Sequence, residues 1–157
     1  MDDNISVTAL TDGHAHEWRK LFSAYANFYQ QPMSDEVLNT VWRWILQGQI
    51  HGLGAHTDSR LLGIAHWHIN LRPLVGGRLA YLNDLFVHPD ARGQSIGKKL
   101  VDAAAAQAKA QGCPLLRWAT AADNTQAQAL YDNIATKTTW VIYDKMLISS
   151  NDNHGTR

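Results

Sequence analysis

Three sets of residues in this chain carry functional groups at spacings that suit chemistry. Arg92, Gly93, Gln94, Ser95, Ile96, Gly97 and Lys98 follow the apolar run Tyr81 to Val87 and a His88-Pro89 turn, and they open an alanine-rich stretch. Glycines let main-chain N–H groups approach an anion closely, and a helix start adds unsatisfied donors and positive potential, so the segment suits a phosphorylated ligand. Asp84 lies inside the apolar run. A carboxylate held inside an apolar strand can serve as a general acid or base, and Asp84 is the strongest acidic candidate for such a role. The competing role for an interior carboxylate is an ion pair or a turn cap. Tyr131 offers a hydroxyl proton donor, with ordinary packing in an amphipathic helix as its competing role.

Tyr25, Tyr29 and Trp67, with His66 and His68 close by, form an aromatic group whose faces could hold a cationic group, although core packing is the readier explanation for each of them. His51, His56, His66 and His68 make no tight ligand motif, so no metal site is expected. Cys113 is the single cysteine and sits between Gly112 and Pro114 without a partnered nucleophile pattern. It also excludes an internal disulfide framework.

These residues need elements to hold them. Ile5 to Leu10 reads as an edge strand, with Thr11 or Asp12 starting a turn into a helix from about Ala15 to Tyr29, where Trp18, Leu21, Phe22 and Tyr25 form one stripe. Ser34 is expected to cap a second helix through about Gln47. Ile50 to His56 and Leu61 to Leu71 read as a hairpin, Leu79 to Val87 as a long strand, and Leu115 to Ala119 as a short buried strand. The helix between the last two, from Gly97 to about Gln111, makes a parallel crossover with a ligand site at the strand ends. Asp123 or Asn124 caps a further helix reaching Tyr131 or beyond, and Thr139 to Ile148 reads as the final strand.

With 157 residues, 45% of them hydrophobic, and 14 basic against 14 acidic side chains, the chain has the composition of one globular domain. The expected division is a single domain over 1–149 and a polar tail over 150–157. Zero formal net charge gives no bulk support for nucleic-acid binding, no apolar stretch reaches membrane-spanning length, and the start lacks a secretory pattern, so a cytoplasmic protein is expected.

The blocks Leu82 to Ala104, LNDLFVHPDARGQSIGKKLVDAA, and Leu116 to Asp132, LRWATAADNTQAQALYD, resemble the GNAT superfamily of acetyl-CoA-dependent N-acetyltransferases. The second block, with YLNDLFV and the ending TTWVIYDKM, looks like the branch acting on small amines, polyamines and histones. The resemblance implies an α/β fold: a mixed, mostly antiparallel curved sheet flanked by helices. It places the acetyl-CoA pyrophosphate on Arg92 to Lys98, with Ser95 standing where glycine is usual, and the pantetheine arm along Leu85, Phe86 and Val87. Asn124 and Tyr131 fall near the coenzyme thiol, and Tyr131 takes the role of proton donor to the departing thiolate. Asn83 falls where small-amine enzymes often carry an acid, and it joins Asp84, Tyr25, Tyr29 and Trp67 on the acceptor side. The implied activity is acetyl transfer to a primary amine of a small molecule, a polyamine or an amino acid. Protein or peptide acetylation and a silent acyl-CoA sensor are the alternatives, and a homodimer formed through the terminal strand is expected.

Overall fold

Trp18, Leu21, Phe22, Tyr25 and Ala26 recur at three- and four-residue spacing and are buried along one side of α1 (Ala15–Phe28) in the computed structural model, which describes residues 4–148. The chain enters α1 from β1 (Ser6–Ala9) through a short 3-10 turn over Asp12–His14, where the Thr11 N–H donates to His14 Nδ1 at 3.0 Å. α2 (Asp35–Leu46) starts at Ser34, whose hydroxyl accepts from the Val37 N–H at 3.2 Å and satisfies one of the orphan donors of the first turn. Arg19 ties the two helices together through Asp35 at 2.8 Å and Asn39 at 2.9 Å.

β2 (His51–His56), β3 (Leu61–Arg72) and β4 (Gly77–Val87) follow as an antiparallel meander. α3 (Ile96–Ala110) then crosses over to β5 (Leu116–Arg117), which pairs parallel to β4. The result is a five-stranded open sheet in the order β1-β2-β3-β4-β5, antiparallel except at its last pair, which is the mixed, mostly antiparallel sheet that the family resemblance implies. α1 and α2 cover one face. Leu10, Leu38, Leu61, Ile64 and Phe86 join the α1 stripe there, with Val41, Trp42 and Ile45 packed against them. α3 covers the other face so closely that a Cβ on Gly63 would stand 3.1 Å from Leu100 and 3.2 Å from Ile96. At that position glycine serves approach, not flexibility.

Two irregularities bear on function. β4 carries one residue more than β3 across from it: His66 pairs with Asp84 and Trp67 with Leu82, leaving Asn83 as the bulged residue. β5 is shorter than the Leu115 to Ala119 strand expected from sequence, and its ladder with β4 covers Ala80 and Tyr81 only. Past Tyr81, no strand among the described residues pairs with the second edge of β4.

The chain divides into one compact unit running to Ala119 and a second beginning at Thr120. In the second, α4 (Thr125–Ile134) begins at Asn124, whose side-chain oxygen accepts from the Ala127 N–H at 3.2 Å. The expected strand from Thr139 to Ile148 does not form: these residues take no regular structure, and Trp140, Val141, Ile142, Tyr143 and Leu147 are exposed. Apolar alternation gives a segment strand propensity, but a strand exists only where a neighbour supplies the ladder. The tail expected over 150–157 lies outside the described residues.

Candidate active site

The glycine segment folds as its composition demands. His88 ends β4, a 3-10 turn covers Pro89–Ala91, and the Asp90 N–H donates to His88 Nδ1 at 3.2 Å. Arg60, in the turn between β2 and β3, donates to both Asp90 carboxylate oxygens at 3.0 and 3.3 Å and anchors this turn to the sheet. The same hydrogen bonds hold the Asp90 carboxyl below its ordinary value. Gly93 then adopts φ +84° and Ser95 φ +61°. A left-handed residue reverses the chain, which brings Ile96 directly into the first turn of α3. Glycine takes this conformation freely, whereas for serine it costs about 1 kcal/mol.

Arg92 to Ser95 are exposed, so their main chain is open to a ligand. The N–H groups as far as Lys98 precede the bond from Lys99 N–H to the Ser95 carbonyl at 3.0 Å, which begins the helical ladder. Two of the basic side chains have protein partners. Arg92 Nε donates to the Val87 carbonyl at 3.3 Å with its guanidinium 5.7 Å from the Phe86 ring centre, and Lys98 pairs with Asp102 at 2.7 Å. The donors this loop offers to an anion are principally main-chain N–H groups on a helix start.

Leu85, Phe86 and Val87 lie just before this loop, on the stretch of β4 that β5 leaves unpaired. Phe86 turns its ring into the α1 core, while Leu85 and Val87 are half-buried. A linear ligand with amide groups could complete the ladder of this edge. The same strand carries Asp84, which faces α1. Asp84 is 8% exposed and His66 beside it is fully buried, with His66 Nδ1 2.9 Å from Asp84 Oδ2. On the other side of the imidazole, Trp18 Nε1 donates to His66 Nε2 at 2.9 Å. An indole N–H only donates, so Nε2 accepts and the ring proton sits on Nδ1, from which it donates to the carboxylate. Two residues along, His68 Nδ1 lies 2.7 Å from Asn83 Oδ1, with the His68 and Tyr81 rings 5.8 Å apart.

The remaining site candidates fall into different surroundings. Tyr25 is buried in the α1 core, stacked on Phe22, and Tyr29 at the end of α1 is exposed with its ring against Tyr25. Trp67 is fully buried on the α3 face, where its indole N–H donates to Gln107 at 2.9 Å, so it has no exposed surface in this conformation. His51 stacks on it at 4.2 Å, and burial lowers the His51 pKa. Tyr131 is half-buried on α4, and Asn124 caps that helix. Sequence reasoning named His66 and Asp84 separately but missed their contact and the Trp18 donor behind it. Counting the hairpin register would have come within one residue of it, and the bulge at Asn83 supplies the difference. Among the described residues no helix is long and apolar enough to cross a membrane, and no group of three or more metal-ligating side chains gathers.

Comparison with known proteins identifies the family and the fold. The model of the Acetyltransferase (GNAT) family matches residues 15–134. The chain is 30% identical over 149 residues to the D-amino-acid N-acetyltransferase HPA3 of Saccharomyces cerevisiae, covering 92% of each protein. It is 26% identical over 134 residues to the thialysine N-epsilon-acetyltransferase of Caenorhabditis elegans, covering 83% of this chain and 82% of that one. Among solved structures, the ribosomal-protein-alanine N-acetyltransferase of Brucella melitensis superposes with a TM-score of 0.77 at 24% identity, covering 92% of this chain and 99% of the other. The aminoglycoside N-acetyltransferase AAC(6')-Iy in complex with CoA superposes with a TM-score of 0.80 at 21% identity, covering 92% and 96%. A match of the family model across most of the chain and a 30% identical relative covered almost end to end make this protein a member of the GNAT family, an acetyl-CoA-dependent N-acetyltransferase.

Proposed function

We propose that the acceptor is the primary amine of a small molecule, an amino acid or a polyamine. The observation that carries this reading is the 30% identity, across nearly the whole of both chains, to an enzyme named for a D-amino-acid acceptor. Relatives named for N-epsilon-acetylation of thialysine support it further. In this reading the coenzyme pyrophosphate lies on the N–H groups of Gly93, Gln94, Ser95, Ile96, Gly97 and Lys98, with Arg92 alongside, and its pantetheine arm runs along Leu85 to Val87. Asn124 stands near the thiol end. Asn83, Asp84, Tyr29 and Tyr25 line the acceptor side; Trp67 contributes from beneath it through packing.

The reaction is a direct transfer. Asp84 takes one proton from the acceptor ammonium, directly or through water, and the freed nitrogen lone pair attacks the thioester carbonyl carbon. The C–S bond breaks, Tyr131 gives its hydroxyl proton to the departing thiolate, and the nitrogen returns its second proton to the tyrosinate. One amide, one free thiol and one proton, released later from Asp84, leave the site. A homodimer belongs to the same reading, supported by the exposed apolar segment from Trp140 to Ile148, which a second copy could cover.

The test is turnover of acetyl-CoA with a panel of D- and L-amino acids, lysine analogues, polyamines and peptides, with product mass detection, on protein whose mass in solution is measured by sedimentation. Acetylated small amines and a dimeric mass are expected. Turnover confined to peptides would replace the acceptor assignment, and a monomer under assay conditions would remove the dimer.

A further inference from the structure

The Trp18, His66 and Asp84 chain has a direction. It begins at an obligate donor, the Trp18 indole N–H, and ends at a group that in its ionised form only accepts. Between them, His66 has no surface and two ring nitrogens at 2.9 Å from fixed partners. Reversing the tautomer would set two N–H groups against each other at Trp18 and leave Nδ1 without a proton for the carboxylate, breaking two buried hydrogen bonds at once. The donor is itself immobile: Trp18 is 1% exposed, packed against Phe22 and Trp42 with ring centres 5.3 and 4.9 Å away. Phe22 closes on His66 edge-on at 4.8 Å. Such a chain specifies the plane of the Asp84 carboxylate, and its anchor is a core helix instead of a loop.

We propose that Trp18 and His66 are positioning residues of the acetyl transfer: the indole fixes His66 as its Nδ1–H tautomer, and that proton orients the Asp84 carboxylate toward the acceptor ammonium. The inference rests on the reading of Asp84 as proton acceptor. Holding a base in its productive geometry acts on the rate of the proton-coupled step and leaves the binding of both substrates nearly untouched. The bulge at Asn83 belongs to the same device, because it brings Asp84 opposite His66 on the α1 face.

Two amide substitutions separate positioning from packing. In His66→Asn the amide nitrogen occupies the place of Nδ1 and still donates to Asp84. In His66→Gln the amide oxygen occupies the place of Nε2 and still accepts from Trp18, while the donor to Asp84 is lost. Both remove the imidazole from the core, so a packing role predicts that they fall together. The expected result is that His66→Gln lowers kcat by about tenfold or more with both KM values within about twofold, while His66→Asn stays within about threefold of the parent. Trp18→Phe, which keeps an aromatic ring and removes the N–H, is expected to lower kcat severalfold without moving KM. Equal losses in the two His66 variants, or losses confined to KM, would overturn the proposal. Nitrogen NMR of the unaltered protein with 15N-labelled histidine provides a readout that needs no variant: one ring must carry its proton on Nδ1 and a lone pair on Nε2, and the opposite tautomer would equally end the idea. Asp84→Asn separates the two levels of the argument. Unchanged activity in Asp84→Asn removes the base itself, whereas a large loss there with matched His66 variants removes only the positioning.

Discussion

Tyr131 and Asp84 divide the proton traffic of the proposed reaction, and their surroundings differ accordingly. Asp84 is held by a buried neighbour, while Tyr131 is half-buried on α4. Replacing Tyr131 with phenylalanine keeps the ring and removes only the proton. The expected outcome is a fall in kcat of about a hundredfold with little change in the KM for acetyl-CoA, in the range of a lost general acid. Steady-state rates across pH check it, and a rate and profile like the parent's would take Tyr131 out of the mechanism. At this scale the sequence was legible in kind but not in arrangement. Asp84, His66 and Trp18 are visible as residue types, yet their chain spans a separation of 48 positions between Trp18 and His66 and turns on one bulged residue. Local patterns hold no information about such a register. Asn124 shows the reverse, since helix capping, the plainer of its two expected roles, is visible in the structure as a hydrogen bond.

Elements follow the sequence closely where their causes are local. The α1 stripe, the Ser34 cap and the turn in which the Thr57 N–H donates to the Arg60 carbonyl are set by residues within a few positions of one another. β5 and the terminal segment do not follow, because a strand is defined by its neighbour and the neighbour is distant in sequence. The loop before α3 lies between these cases: its glycines signal a turn, and Ser95 is the residue that departs from them. Ser95→Gly is expected to relieve the left-handed strain and raise stability by about 0.4–1 kcal/mol, or about 2–4 °C in melting temperature at most. The main-chain donors survive the change, so the KM for acetyl-CoA should stay within about twofold. Thermal melts and saturation kinetics on the one variant check both statements, and a lower melting temperature would contradict the strain.

At the scale of the molecule, the sheet with α1 and α2 on one face and α3 on the other buries few titratable groups among the described residues, and His51 lies half-buried, stacked on Trp67. Burial lowers its pKa, so the folded protein binds its proton less readily than the unfolded chain does. The stability it contributes is present above the unfolded value of about 6.5 and is lost as pH falls through the lowered folded value. The melting temperature should therefore drop between about pH 7.5 and pH 5.5, and His51→Gln should flatten the part of that slope that belongs to this group. Identical slopes in parent and variant would show that other groups set the dependence.

The stretch of β4 beyond its two-residue ladder with β5 has a consequence for handling the protein. A row of unpaired backbone groups, which the proposed reading gives to the pantetheine arm, is equally able to accept a strand from another chain. Coenzyme bound there as proposed would act as a plug as well as a reagent, and the purified protein is expected to aggregate less when stored with its acyl donor or free CoA than without.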